Sequence, residues 1–140
     1  MTTPGRSRIT YRPLPAIAVS ALLVAVLAGM TNALVATAAI ALGLDASASH
    51  GLEPFAYVPL TIIAAIGGAL GWHFVNSSAA RPGRVFRWLV PLVLVLSFIP
   101  DVFVALDTGW PNAVALMVMH TLTITIAVLI YRWRMPIRTG

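Results

Sequence analysis

The chain has 140 residues, of which 59% are hydrophobic and 9% charged, with nine basic residues against four acidic ones and a net charge of +5. An average soluble domain carries roughly 25% charged residues, so this much apolar surface excludes an ordinary water-soluble fold. The chain contains neither cysteine nor lysine, which excludes disulfides, thiolate nucleophiles, dithiol relays and any Schiff base on a lysine amine.

Arg6, Arg8 and Arg12 precede the first apolar stretch, residues 14–42. Its charged lead and the "DASASHG" segment, with Ala46 and Ala48 in an A-x-A-like arrangement, resemble a secretory signal. A signal core has about 7 to 15 apolar residues, however, and this stretch is nearly twice as long, so an uncleaved signal-anchor helix is expected. Gly43 is placed to stop it, and Pro54 in "GLEP" to start the second stretch, residues 55–75. The breaker-rich "NSSAARPGR", from Asn76 to Arg84, forms a loop before the third stretch, residues 88–106. "DTGWPN", from Asp107 to Asn112, is a tight turn leading into the fourth, residues 113–130. Each stretch has about 18 residues or more, enough to cross a hydrocarbon core of roughly 30 Å as a helix. The fold expected is all-α, a four-helix transmembrane bundle forming one integral membrane domain over residues 1–140, with helices three and four antiparallel neighbours.

Arg81, Arg84 and Arg87 separate the second and third stretches, and Arg132, Arg134 and Arg138 follow the fourth, so all nine arginines fall on one side. Asp45, His50, Glu53 and Asp107 fall on the other. The positive-inside rule then puts both termini in the cytoplasm, in a multi-pass protein of the inner (cytoplasmic) membrane. Tyr11, Trp72, Trp88, Tyr131 and Trp133 suit the inner interface, and Tyr57 and Trp110 the outer one. The spacing of the arginines fits this topology and not a nucleic-acid face, so the expected partners are the lipid bilayer and a second copy or another membrane protein.

Small side chains recur at helical steps on the first helix, at Ala18, Ala21, Ala25, Gly29, Ala36 and Ala39, interrupted by the amide of Asn32. Thr61, Ala64, Gly68 and Gly71 make a similar stripe on the second, and Gly67 with Gly71 a GxxxG pair. Helices in lipid approach closely along such stripes, so a large residue at Ala25 or Gly29 is expected to disturb packing more than one at Leu27.

Asp101 is the one acidic residue inside an apolar stretch. Counted from the outer turn at 1.5 Å per residue, it lies about 8 Å deep, His120 about 12 Å and Asn32 about 15 Å, which brings a carboxylate, an imidazole and an amide to one level. Pro100 removes a backbone donor and bends the third helix, and Ser97, one turn from Asp101, is placed to join the cluster. Asp101, His120, Asn32 and Ser97 are therefore the candidate site. One reading is a structural tie between helices three and four, worth about 0.6 kcal/mol per membrane hydrogen bond. The other is a proton-sharing or ligand-binding site. Met117 and Met119 beside His120 invite a copper assignment, but methionine is an ordinary gap-filler of apolar cores, and no metal is expected. His73 and His120 differ in depth by well over about 10 Å, too far to ligate one haem, and no cofactor is expected.

The four-span layout, Asn32, the "GW" of Gly71 and Trp72, "SFIPD" ending in Asp101 and "ALMVMH" ending in His120 together resemble an uncharacterised actinobacterial family of small integral membrane proteins, a domain of unknown function. The likeness covers nearly the whole chain and implies the same four-span fold, but brings no activity, substrate or catalytic residue. The expected function is a non-enzymatic accessory or envelope component with a buried Asp/His/Asn cluster. The alternative is a small proton-linked transporter or ligand-binding membrane protein using Asp101 and His120. An enzyme acting on a lipid or quinone headgroup is not expected, because no nucleophile motif and no second acid at the same depth accompany the pair.

Overall fold

The computed structural model describes residues 13–49 and 51–138, so Arg6, Arg8, Tyr11, Arg12 and His50 lie outside the described residues. Six helices follow in order: α1 (Pro13–Ala41), α2 (Ala46–Ser49), α3 (Pro54–Ser78), α4 (Pro82–Ser97), α5 (Ile99–Thr108) and α6 (Trp110–Arg134). No strand occurs among the described residues. Four segments are long and apolar enough to cross a membrane: Leu14–Ala41, Pro54–Ser78, Pro82–Thr108 and Trp110–Arg134. The all-helical, four-span expectation therefore holds.

Local chemistry sets the ends. At the close of α1 the Leu44 amide donates to the Ala39 carbonyl and the Gly43 amide to that of Ile40, a Schellman arrangement that needs the positive φ of Gly43. Pro54 opens α3 at a position where a missing N–H costs nothing. The loop expected over Asn76 to Arg84 shrinks to residues 79–81, because Asn76, Ser77 and Ser78 stay helical and Pro82 starts α4. Near the membrane interface those polar residues need not leave the helix: the Ser77 hydroxyl donates to the Phe74 carbonyl and the Asn76 amide to that of Pro136. The turn before α6 narrows to Gly109 alone, at φ +96°. Within the apolar segments, the hydroxyls of Thr31, Thr37, Thr121 and Thr125 donate to carbonyls four residues back, so lipid-exposed hydroxyls are satisfied by their own helix.

The third span is not one helix. It breaks at Phe98, between Ser97 and Ile99, and the break agrees with the bend expected from Pro100. α1 packs broadly on α3 and α6, α5 packs on α6, and α4 reaches both α3 and α6. α3 and α5 barely touch. The basal end of the bundle carries Pro13 and the α3–α4 link, and the apical end carries residues 42–49, 51–53 and Gly109. A basal apolar cluster gathers Val24, Ala28, Ala69, Trp72, Phe86 and Tyr131, and an apical one Ala36, Ala39, Leu52, Leu116 and Met119. Trp72 stacks on Phe86 with ring centroids 4.0 Å apart and donates to the Met135 carbonyl at 2.9 Å, which ties the chain after α6 to α3.

The packing stripes differ in part from those expected. On α1 the buried line is Ala21, Val24, Ala28, Asn32, Ala36 and Ala39; Ala18 is exposed, Ala25 is half-buried, and a Cβ added at Gly29 would meet nothing within 4 Å. Gly29 instead borders an open apolar groove between α1 and α3. Two neighbouring stripes of small residues share this helix, and side-chain size does not say which is covered. On α3 the buried line is Thr61, Ala65, Ala69 and Trp72, which leaves Ala64 exposed and the Gly67/Gly71 pair open to the surroundings. Gly68 is the glycine that packing requires. A Cβ there would lie 2.9 Å from the Tyr131 hydroxyl, which donates to the Ala65 carbonyl at 2.6 Å.

Gly68→Leu is therefore expected to lower stability by about 1 to 3 kcal/mol through overpacking and loss of the Tyr131 hydrogen bond, whereas Gly29→Leu, Gly67→Leu and Gly71→Leu change it little. Thermal aggregation midpoints in detergent check the ranking.

Candidate functional site

Asp101 stands in the first turn of α5, directly after the break at Phe98. A helix N-terminus favours negative charge through its unpaired N–H groups, so restarting the helix here suits a carboxylate. The carboxylate lies inside the bundle, its side chain only 3% exposed. Oδ2 of Asp101 lies 2.9 Å from Nδ1 of His120 on α6. The His120 side chain is 40% exposed, so the pair has a dry half and an open half. The contact expected between the third and fourth spans is present as a direct hydrogen bond. Counted from Thr108 and Trp110, the observed helix ends, the two residues lie about 11 Å and 15 Å from the apical end.

The remaining expected members are arranged differently. Asn32 is buried, but its amide donates to the hydroxyls of Thr61, at 3.1 Å, and Thr123, at 3.2 Å, and not to the pair. The Thr123 hydroxyl in turn donates to Oδ1 of Asn32, and that of Thr61 to the Tyr57 carbonyl. This group ties α1, α3 and α6 together, and it adjoins the pair because Thr123 lies one turn beyond His120 on α6. Ser97 does not bond Asp101. Its hydroxyl donates to the Leu94 carbonyl at 2.7 Å, because at the last position of α4 the nearest acceptor is one freed by the helix end. The sequence pattern places Thr61 in a packing stripe and does not single out Thr123. The usable signal was position: Thr123 shares a face with His120, and Thr61 stands opposite Asn32 at comparable depth.

All these residues border one cavity of about 560 Å³. Asn32, Thr61 and Thr123 form one part of its wall and Asp101, His120, Ser97 and Pro100 another, with Leu60, Ile63, Leu116 and Met119 supplying apolar surface. Its position between α3 and the broken third span, where helices barely touch, makes it a lateral cleft. Leu60 and Ile63 at its edge are largely exposed, so the mouth faces the surroundings of the bundle. Among the described residues no group of three or more His, Cys, Asp or Glu is placed to hold a metal ion. Met119 belongs to the apical apolar cluster.

Four apolar membrane-spanning segments around a buried carboxylate–imidazole pair define a small polytopic membrane protein. The chain belongs to the family of unknown function DUF6069, whose profile matches residues 11–136. Comparison with curated proteins and with solved structures gave no match.

The contact between Asp101 and His120 has an energetic consequence. A double-mutant cycle with Asp101→Ala and His120→Ala is expected to give a coupling of about 0.5 kcal/mol or more in unfolding from detergent. Asn32→Ala, which belongs to the adjoining network, is expected to couple to Thr123→Ala and not to Asp101→Ala.

Proposed function

We propose that this protein is a non-enzymatic component of the cytoplasmic membrane that holds a lipid-soluble ligand in the lateral cleft, against the Asp101–His120 pair. The observation that carries the reading is the half-open pair itself: a buried carboxylate fixes one imidazole nitrogen, and the rest of the ring borders a 560 Å³ cavity, a size ordinary for small-molecule sites. A tie between helices requires no such opening. Ionisable groups at this depth are expensive and commonly serve function. Proton-linked transport is a weaker reading, because Trp72, Phe86, Tyr131 and Met135 pack the basal half as an apolar cluster and the ionisable pair lies apical of it.

The orientation we propose places the basal end in the cytoplasm. Arg81, Arg84, Arg87, Arg132, Arg134 and Arg138 all belong to that end, and Asp107 to the other, which supports it through the positive-inside rule. The Ala-, Val- and Arg-rich usage without lysine supports an actinobacterial source.

Because the chain has no cysteine, single introduced thiols report topology cleanly. Asp107→Cys is expected to react with a membrane-impermeant maleimide in intact cells, and Ser78→Cys only after permeabilisation. The binding reading is checked by mass spectrometry of solvent extracts from protein purified out of its own membrane. One lipid-soluble species is expected near a one-to-one ratio, and depleted in His120→Phe; equal content in both proteins would contradict the reading.

A further inference from the structure

We infer that the molecule held in the cleft is a quinone, a neutral ring whose oxygen meets Nε2 of His120 and whose apolar tail leaves through the gap between α3 and α5. The inference rests on the reading of the cleft as a binding site, and four observations narrow the class.

The first is depth. His120 lies about 15 Å from the apical end of α6, in the hydrocarbon of a bilayer whose apolar core is roughly 30 Å thick. A phosphate or ammonium headgroup would have to leave the interface to reach it, against the cost of moving charge into hydrocarbon. The ligand's polar part is therefore neutral. The second is the scarcity of free polar groups. Both amide hydrogens of Asn32 are used on Thr61 and Thr123, and the hydroxyl hydrogens of those threonines on Asn32 and the Tyr57 carbonyl. Asp101 holds Nδ1 of His120. Nε2 takes no part in that bond and is the nitrogen left for a ligand, as donor to a quinone carbonyl when protonated or acceptor from a quinol hydroxyl when not. Among the lining side chains the Tyr57 hydroxyl and Oδ1 of Asp101 are left as well, still far fewer groups than a sugar or nucleotide has to satisfy.

The third is shape and lining. The cavity, about 560 Å³, has room for a ring, and Met119 and Tyr57 border it as polarisable side chains suited to a flat π-system. The fourth is the mouth. Leu60 and Ile63 are exposed at its edge, so a tail anchored by its ring passes directly into the bilayer.

The test uses the full chain in phosphatidylcholine nanodiscs, titrated calorimetrically with a decyl-substituted benzoquinone, with farnesol as a tailed alcohol lacking a ring. Saturable quinone binding is expected, weaker by roughly tenfold in His120→Phe, the order of one lost buried hydrogen bond. Because a change at His120 also disturbs Asp101, Ala64→Trp is the second variant: Ala64 is an exposed residue of the cleft wall on α3, and a large ring there is expected to block binding without lowering the melting temperature. Quinone binding that is absent, or unchanged in both variants, would overturn the assignment. Farnesol binding with the same dependence on both positions, and none for the quinone, would remove the quinone and leave the cleft as a binding site. If neither probe depends on either position, both readings fall.

Discussion

A carboxylate carried into hydrocarbon must share its charge or its proton, and Asp101 does so with Nδ1 of His120. The neighbouring geometry follows from that requirement. For Asp101 to reach α6 from the third span, the helix has to turn, and it does so at Phe98, where Pro100 has removed a backbone donor and α5 begins afresh with its N-terminus beside the carboxylate. α5 packs on α6 and barely touches α3. The cleft lies on the side of α5 that faces α3, so the bonded pair and the cavity share one wall.

The bundle can tolerate that opening because its two ends are closed by other means. At the basal end Trp72, Phe86 and Tyr131 pack on small residues of α1 and α3, and the chain after α6 folds back so that the carbonyls of Met135 and Pro136 accept from Trp72 and Asn76. At the apical end Leu52, from the connection between α2 and α3, is buried against Ala36, Ala39 and Leu116. Between them the Asn32–Thr61–Thr123 group satisfies itself across three helices. In lipid there is no hydrophobic drive between helices, so this combination of close backbone approach and closed polar groups is what gives the bundle one register.

Span number, the helix ends at Gly43 and Pro54 and the Asp101–His120 contact were legible because each depends on strong local signals: long apolar runs, glycine and proline at those boundaries, and two lone ionisable residues flanking a short turn. Which face of a helix is covered was less legible. Ala25 and Gly29 are as small as Ala28 and Ala36, yet they border an open groove, because a membrane helix is apolar all round and its periodicity does not mark the protein side. Ser97 and Asn32 illustrate a second limit. Both lie close to Asp101 in position along the bundle, but Ser97 is satisfied by its own helix end and Asn32 by two threonines, choices fixed by rotamer and by which acceptor is nearest.

The claim that the Asp101–His120 bond organises this protein is tested most directly by nitrogen NMR of imidazole-labelled protein in lipid bilayers, with the His120 signals identified by their loss in His120→Asn. The account predicts a His120 Nδ1 resonance of a hydrogen-bonded N–H, dipolar-coupled to the labelled Asp101 carboxyl and displaced by Asp101→Asn. A His120 spectrum that shows no coupling to Asp101 and does not respond to its substitution would contradict the account.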